Sequence, residues 1–257
     1  MAFEMEKQQY DTHGFVIVRQ FLKDADLTDL KNNLARYIRD VVPGLPDSDA
    51  FYQDRAKPET LKQMQRMGCD PWFLDYAQNP RWKELADVLI GEPSTSDQPE
   101  WFSKPPGTNH VTPPHQDNYY FCLAPANVLT IWLALDPVDA ENGCLRYVDR
   151  SHVGGFRKHA KSKILGFSQG IVDYTSDDFT QEVAACLQPG DTVAHHGMAI
   201  HRADANLSTT RNRRSFAMVF TGVSCQRDES AFARYSAAAS AQHQEFGLNL
   251  SPTVTAN

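Results

Sequence analysis

The sequence predicts a mainly β fold, a sandwich or barrel, with helices from the N-terminal part packed against it. From about residue 100 onward, short runs rich in β-branched and aromatic residues alternate with turns rich in Pro, Gly, Asn and Asp, as in NVLTIWLALD and RSFAMVFTGV. Upstream of these runs, two stretches have helical periodicity. The 257 residues suit one large β domain with helical additions, so we expect a single domain over 1–257 with its β core at about 98–225.

Two helices are expected in the N-terminal part. The first is capped by Asp24 or Asp26 and runs to about Val41, with its leucines on one stripe. The second begins at Pro80, a residue favoured in the first helical position, and stops at Gly91, which suits a left-handed C-terminal cap. These helices would form a layer outside the β core.

The remaining N-terminal and C-terminal segments are less regular. GFVIVRQFL (14–22) is typical of a short buried strand. The polar segment 44–78 is irregular, with one possible helix at 58–67. In the tail, SAAASAQHQEF (236–246) predicts a small helix, and 247–257 is expected to be a loose end.

Composition excludes several classes of protein. Charged residues make up 22%, and the net charge of −7 argues against nucleic acid or an anionic membrane surface as a partner. No apolar run reaches the length of a membrane span, and the start, MAFEMEKQQY, has no basic region followed by an apolar one, so we expect no secretory leader. The five cysteines are widely spaced without a CxxC pair, which favours a reducing cytoplasm over a disulfide framework or a thiolate zinc site.

The stretch TPPHQDNYY contains a candidate pair of metal ligands. His115 and Asp117 are two residues apart, and on a strand such residues point to the same face. With a second imidazole they would form the two-histidine-one-carboxylate set that leaves positions open on iron(II), whereas a structural zinc site is closed by four protein ligands. The pair alone is also compatible with an ordinary turn. Candidates for the third ligand are His195, His196 and His201.

The position of the following strand favours His201. The polar loop 202–212 separates His201 from the strand that begins at Arg213, and we expect the two arms to form an antiparallel hairpin. In such a hairpin His201 and Arg213 lie side by side, whereas His195 and His196 lie deeper, opposite apolar residues.

Strand alternation selects one of three arginines as the interior one. Arg213 shares a face with small residues, whereas Arg214 shares the other face with bulky apolar ones, and Arg211 precedes the strand. The smaller face suits a barrel interior, where the planar guanidinium of Arg213 can bind a carboxylate. By the same alternation, Thr130 and Trp132 line that interior.

Several motifs together resemble the phytanoyl-CoA dioxygenase family of iron(II)- and 2-oxoglutarate-dependent oxygenases. The resemblance covers about residues 10–222. The matching segments, in chain order, are KPPG (104–107), HQD (115–117), Trp132, ENGCLRYVDRSH (141–152), PGD (189–191), and the distal histidine and arginine that end at Arg213.

The resemblance implies a double-stranded β-helix, a cupin-like jelly-roll, and assigns roles to individual residues. His115, Asp117 and His201 are the implied iron(II) ligands, Arg213 pairs with the distal carboxylate of 2-oxoglutarate, and Trp132 lines the cosubstrate pocket. The implied reaction consumes O2 and 2-oxoglutarate, releases succinate and CO2, and oxidises a C–H bond. An aspartate at 117 favours hydroxylation or another oxidation over halogenation, because halogenating relatives carry a small residue there.

One departure from the family pattern concerns the position after the distal histidine. Many members have Gly-Ser there, whereas this chain has Arg202-Ala203, so a hydroxyl contact to the cosubstrate is in doubt. The basic clusters that a CoA thioester would need are limited to 157–163 and 211–214, so we favour a small organic metabolite as substrate over an acyl-CoA.

Alternative functions and several residue roles stay open at this point. A non-catalytic jelly-roll protein binding a small ligand or metal, or a zinc hydrolase, would use the same fold, and the sequence does not give the oligomeric state. Asn118, Tyr119 and Tyr120 can face the substrate or pack against the helical layer. His195 and His196 can be donors to the ligands or packed strand residues, and we favour the second role. Candidate lid segments are 44–78, 157–180 and the C-terminal tail.

Overall fold

Strands dominate the structure, a computed structural model that describes residues 2–108, 110–164 and 167–245. Within these ranges the helices are α1 (Glu4–His13), α2 (Asp24–Asp40), α3 (Pro71–Tyr76), α4 (Pro80–Ile90), α5 (Asn118–Phe121), α6 (Ser176–Thr180) and α7 (Glu229–Glu245). The strands are β1 (Phe15–Val18), β2 (Ala50–Tyr52), β3 (Leu61–Met64), β4 (Ser94–Ser96), β5 (Glu100–Lys104), β6 (Thr112–His115), β7 (Leu123–Ala124), β8 (Val128–Ala134), β9 (Leu145–Val148), β10 (His159–Ile164), β11 (Phe167–Ile171), β12 (Glu182–Ala185), β13 (Thr192–His196), β14 (His201–Ala203), β15 (Arg213–Gly222) and β16 (Gln226–Arg227).

Two antiparallel sheets form the core. The larger sheet has the order β1-β13-β8-β15-β5-β3-β2, with β4 also paired to β15. The smaller sheet has the order β12-β9-β14-β6. Apolar residues of both sheets belong to one buried cluster, to which β8 contributes Trp132 and β9 contributes Tyr147, so the sheets pack face to face. The predicted mainly β jelly-roll with helical additions is confirmed.

The large sheet has two different faces because side chains alternate along each strand. On β8, one set of residues packs in the cluster shared with the helices, and it comprises Leu129, Ile131 and Leu133. The other set faces the smaller sheet and includes Trp132 and Ala134. On β15, Phe216, Met218 and Phe220 likewise face the helices, whereas Ala217 faces inward. The functional residues therefore lie between the sheets, on the face away from the helices.

The two N-terminal helices are confirmed, with α2 and α4 close to their predicted bounds. The predicted cap of α2 by Asp24 or Asp26 is wrong, because the N-cap residue is Lys23 and no side chain accepts a capping hydrogen bond there. The Asn79 side chain accepts a hydrogen bond from Arg81 N at the start of α4. Gly91 ends α4 in the left-handed region at φ 86°, where its N–H donates to Asp87 O. The tail helix is also present, but it begins earlier than predicted, at Glu229. Residues 247–257, expected to be a loose end, lie outside the described residues.

The prediction of a possible helix at 58–67 is wrong. A single 3₁₀ turn at Pro58–Thr60 leads directly into β3, whose Gln63 and Met64 pair with β5. Pairing with the edge of a sheet that already exists overrides the weak helical preference of this polar segment. With β1 and β2, this strand extends the large sheet, so the N-terminal part supplies strands as well as helices.

The predicted hairpin between His201 and Arg213 is also wrong. β14 pairs with β6 and β9 in the smaller sheet, whereas β15 pairs with β8 and β5 in the larger one. The loop 204–212 therefore crosses from one sheet to the other, as consecutive strands do in a jelly-roll. Asn206 fixes this loop by donating from Nδ2 to Lys104 O and Arg211 O, both at 2.8 Å.

No helix within the described ranges combines the length and the apolar character that a membrane span requires.

Candidate metal centre

Two histidines point the same ring nitrogen into the space between the sheets. His115 ends β6, and its Nδ1 lies 2.8 Å from Pro113 O. His201 begins β14, and its Nδ1 lies 3.1 Å from Ala199 O. Because a carbonyl oxygen only accepts, Nδ1 carries the proton in both rings, and Nε2 keeps its lone pair for a metal.

Asp117 reaches the same point from a helical turn rather than from a strand. Its backbone angles are φ −58° and ψ −38°, so the predicted shared strand with His115 is wrong. The neighbouring Asn118 bends the chain, since its side-chain amide pairs with both the N–H and the C=O of Leu123. Its backbone N–H donates to Gly197 O at 2.8 Å.

The three side chains converge on one position. Asp117 Oδ1 is 3.4 Å from His115 Nε2 and 3.5 Å from His201 Nε2. One ligand atom from each residue lies within 4.8 Å of the others, and within the described ranges no other group of His, Cys, Asp and Glu does so. Two imidazoles and one carboxylate form the set that binds iron(II) on one face and leaves the other positions open.

The protonation states suit a metal. Burial alone raises the pKa of Asp117, but His201, His115 and His195 together lower it well below its usual range. Burial, and next the neighbouring His115, lower the pKa of His201 well below that of a free imidazole. A carboxylate anion beside a neutral imidazole is the state in which these groups bind a cation.

The second carboxylate oxygen of Asp117 is held by protein. Thr130 donates from Oγ1 to Asp117 Oδ2 at 2.6 Å, and His195 Nε2 lies 3.0 Å from the same oxygen. The other nitrogen of His195 lies 3.0 Å from the Tyr147 hydroxyl. Asp117 Oδ1 is thereby left facing the two histidines. Of the two roles left open for His195, the structure thus supports that of a donor to a ligand.

A cavity of about 270 Å³ extends from these ligands to Arg213. The Arg213 side chain is only 4% exposed, and its Nε has no acceptor among the described residues. Its guanidinium lies 5.5 Å from the Trp132 ring centroid. Burial lowers the pKa of Arg213 to about 10, so it remains charged at neutral pH. A buried cation without a counter-ion is costly unless a ligand brings one.

The other two arginines lie outside the cavity. Arg211 pairs with Asp139 at 2.8 Å and with Glu141. Arg214 pairs with Asp136 at 2.7 Å, and about half of its side chain is exposed. Of the three arginines, only Arg213 therefore lines the cavity, as strand alternation predicts.

Lys104 was not singled out from the sequence, although it begins the KPPG motif. It pairs in register with Arg213, and its Nζ donates to Asp204 O at 2.5 Å. Burial, and next Arg213, lower the pKa of Lys104 to about 6. Ala203 lines the cavity with a methyl group, whereas Arg202 is paired with Glu182, so neither offers a hydroxyl to the cavity.

Some of the residues near the ligands line the cavity, whereas others support the surrounding backbone. Tyr120 lines the cavity and meets the His115 ring edge-on at 5.7 Å. Tyr119 instead stacks on His159, with 3.9 Å between the ring centroids, and lies outside that cavity. The Asn118 side chain stabilises the turn by its hydrogen bond to Leu123 O. His196 Nδ1 accepts a hydrogen bond from Met198 N, so this side chain supports the backbone and does not line the cavity.

Gln116, between the two ligands, is fully buried and joins three segments. Its Nε2 donates to Gly155 O and Met198 O, both at 2.9 Å. Its Oε1 accepts from Arg157 N at 2.9 Å. The side chain therefore turns away from the metal position and fixes the loop that carries Asp117.

Comparison with known proteins agrees with this geometry. The family model described as Phytanoyl-CoA dioxygenase (PhyH) matches residues 10–215. The peroxisomal phytanoyl-CoA dioxygenase of Bos taurus is 26% identical over 217 residues, which is 79% of this chain and 64% of that protein, so the chain spans somewhat less than two thirds of its relative.

Two solved structures have the same fold. The epimerase SnoN, in complex with Fe3+, alpha ketoglutarate and nogalamycin RO, superposes with a TM-score of 0.72 at 20% identity, covering 91% of this chain and 89% of that one. EvdO2 from Micromonospora carbonacea var. aurantiaca, complexed with 2-oxoglutarate, superposes with a TM-score of 0.69 at 23% identity, covering 87% and 92%.

Proposed function

The chain belongs to the phytanoyl-CoA dioxygenase family, and on that premise we propose that it is an iron(II)- and 2-oxoglutarate-dependent dioxygenase. It hydroxylates, or otherwise oxidises, an unactivated C–H bond of a small organic molecule and releases succinate and CO2. The family match over residues 10–215 supports the class of reaction. The observation that carries the proposal is one cavity holding both a His-Asp-His cluster and a buried arginine whose Nε has no acceptor among the described residues.

The donor set fits iron(II). His115 and His201 offer Nε2, and Asp117 offers Oδ1, while Thr130 and His195 hold the other carboxylate oxygen. A closed zinc site would need a fourth protein ligand, and the described residues bring none to this point. Three protein ligands leave room for a chelating cosubstrate and for O2.

The far end of the cavity fits the distal carboxylate of 2-oxoglutarate. Arg213 presents its guanidinium there, over the Trp132 ring, with Lys104 in the adjacent strand. A bidentate arginine–carboxylate pair gives both energy and a fixed direction. Thr130, which is expected to line the cosubstrate pocket, lines this cavity and also donates to Asp117 Oδ2.

The chemistry that iron, 2-oxoglutarate and O2 supply when bound is the oxidation of a C–H bond. The protein contributes position and a dry environment. Arg213 sets the direction of the cosubstrate, Thr130 and His195 orient the ligand carboxylate, and Tyr120 forms the wall beside His115. A non-catalytic binding protein would have no need for this combination of three ligands and a buried arginine in one cavity.

A reducing compartment agrees with the state of the cysteines. Cys69, Cys122, Cys144, Cys186 and Cys225 are all free thiols. We propose a cytoplasmic location on this basis.

The test is formation of the iron–2-oxoglutarate chelate without oxygen. Purified protein with iron(II) and 2-oxoglutarate is expected to develop a visible charge-transfer band. Arg213→Ala should weaken 2-oxoglutarate binding by about 100-fold, because a buried charge pair is worth several kcal/mol. Arg211→Ala is the matched control, since its ion pairs lie outside the cavity.

Each outcome decides a separate point. Absence of the band in folded wild-type protein would overturn the oxygenase proposal. Loss of the band in Arg211→Ala but not in Arg213→Ala would overturn the assignment of the anchor. A turnover screen of small metabolites, with succinate as the readout, then tests the oxidation itself.

A further inference from the structure

The strand β15 relates the two ends of the cavity to the metal position. Arg213 is the first residue of this strand and Gly222 is the last, which corresponds to about 30 Å along a strand. The metal ligands lie between these ends, because Val219 of β15 pairs with Thr130, which donates to Asp117. A cosubstrate that extends from the metal position to Arg213 therefore leaves the Gly222 end for the molecule that is oxidised.

The helix α5 and the strand β7 lie at the Gly222 end of the large sheet. At the start of α5, Asn118 N donates to Gly197 O, and Gly197 N donates to Val128 O. Val128 pairs with Thr221, the residue before Gly222. β7, which follows α5, pairs with β16, which follows the end of β15. The side chains of α5 therefore reach the cavity from the side opposite to the arginine.

Three rings form an aromatic wall at this end of the cavity, namely those of Tyr120 and Phe121 in α5 and Tyr235 in α7. Tyr120 and Tyr235 meet edge-to-face, with 5.7 Å between the ring centroids. Tyr120 also meets the ring of the ligand His115 at 5.7 Å, so the aromatic wall begins beside the metal position. The Tyr120 hydroxyl donates to Gln169 O at 2.5 Å, so protein already satisfies its polar atom. What Tyr120 offers to a substrate is therefore its ring.

The charged lining residues of the large sheet lie nearer the other end. Glu100 and Lys104, which β5 brings to the cavity, pair with the half of β15 that begins at Arg213. In the second half of β15, the lining residue Val219 is apolar. A charged group of the substrate would thus find no opposite charge in the aromatic wall, whereas an uncharged ring would find partner rings.

We propose that the oxidised substrate presents an uncharged aromatic ring to the aromatic wall, with Tyr235 as a specificity-determining residue. This inference rests on the proposed function, because it places the substrate beside the iron. Aromatic pairs in edge-to-face or offset arrangements stabilise binding beyond the area that they bury. Tyr235 belongs to α7 and not to the elements that carry the metal ligands, so its substitution changes the aromatic wall without changing those elements.

The experiment compares two neutral probes that differ in the aromaticity of one ring. Benzyl alcohol and cyclohexylmethanol are titrated into the anaerobic protein–iron(II)–2-oxoglutarate complex, and binding is measured by calorimetry. Burial of apolar area alone favours cyclohexylmethanol, because its saturated ring has the larger apolar surface. Wild-type protein is nevertheless expected to bind benzyl alcohol about three- to tenfold more tightly than cyclohexylmethanol.

Substitutions in the aromatic wall test the role of the rings. Tyr235→Leu removes one ring and keeps an apolar side chain, and the preference for benzyl alcohol is expected to fall about threefold, whereas Tyr235→Phe keeps it. Phe121→Leu removes a second ring and is also expected to lower the preference, so the test does not depend on one variant. Tyr119→Leu is the matched control, because Tyr119 stacks on His159 outside the cavity, and it is expected to keep the preference.

Three outcomes overturn the assignment of an aromatic ring. They are a ratio of one or less in wild-type protein, no measurable binding of benzyl alcohol, and an unchanged ratio in both Tyr235→Leu and Phe121→Leu. An equal fall in Tyr119→Leu and Tyr235→Leu overturns the role of Tyr235. Because the charge-transfer band of the wild-type complex is recorded first on the same samples, its absence identifies a failure of the proposed function instead.

Discussion

At the scale of single residues, the two oxygens of Asp117 have different tasks. Oδ2 accepts hydrogen bonds from Thr130 and His195, whereas Oδ1 faces His115 and His201. The carboxylate is thus oriented before any metal arrives. Such partners of metal ligands usually contribute about 10- to 100-fold to metal affinity.

Removal of the Thr130 hydroxyl tests this orientation. Thr130→Val keeps the shape of the side chain, and we expect iron(II) to bind about 10- to 100-fold more weakly. Thr192→Val is the control, because Thr192 is a buried threonine whose hydroxyl donates to Trp132 O and not to a ligand. Equal iron(II) dissociation constants for wild-type protein and Thr130→Val would contradict the orienting role.

Residue chemistry was predictable from the sequence where a strand alternates without interruption. On β15, alternation alone separated Arg213 from Arg214, and the structure places the first in the cavity and the second in a surface ion pair. The role of His195 stayed open because its partner, Asp117, lies far away along the chain. No local pattern marks a contact of that kind.

At the scale of elements, Asp70 joins two helices of the outer layer. Its carboxylate accepts from Trp72 N and Phe73 N at the start of α3. It also accepts two hydrogen bonds from Arg36 of α2, at 2.7 and 2.8 Å. The hydrogen bond from Arg36 is the main cause that lowers the pKa of Asp70, although burial opposes it.

Asp70→Asn is therefore expected to lower the free energy of unfolding by about 2 kcal/mol at pH 7, less than for a fully buried pair because Arg36 is partly exposed. The native pKa lies below the unfolded value of about 3.9, so the contribution is present above that value and is lost as pH falls. The difference between wild type and variant should thus shrink between about pH 5 and pH 2. Urea unfolding at several pH values measures it.

Asp40→Asn provides the control for that measurement. Asp40 pairs with Arg39 at 2.7 Å on the surface, and exposed pairs contribute little to stability. A loss in Asp70→Asn that stays constant from pH 7 to pH 3 would contradict the linkage between this carboxylate and folding.

Elements were predicted well when their own sequence determined them and poorly when a partner did. α4 has its cap residues, Asn79 and Gly91, at both ends, so its bounds follow from local chemistry. β3 forms because it can pair with the edge of β5. β14 does not form the expected hairpin with β15, because it pairs with β6 and β9 in the smaller sheet. Pairing between distant strands is not encoded in a window of neighbouring residues.

At the scale of the whole molecule, one buried cluster joins the N-terminal helices to the barrel. It contains Tyr37 and Trp82 from the helices together with Ile131, Phe216 and Phe220 from the large sheet. A shared core of this kind predicts a single folding unit, as the sequence suggested for residues 1–257.

We expect one cooperative unfolding transition. Trp72 and Trp82 lie in helices, whereas Trp101 and Trp132 lie in strands, so tryptophan fluorescence reports on both layers. The denaturation curve followed by tryptophan fluorescence should coincide with the curve followed by far-UV circular dichroism. Two separated transitions would show that the helical layer and the barrel unfold independently.

The position of β15 in the large sheet also bears on how the protein is made. This strand pairs with β8 and β5 near the middle of the sheet, yet it is among the last core segments to leave the ribosome. Until residue 222 has emerged, β8 and β5 each have one edge that is not paired with β15. β1 likewise has no partner strand until β13 has been synthesised. A growing chain thus exposes open strand edges through most of its synthesis, which is when association with other nascent chains is the main hazard.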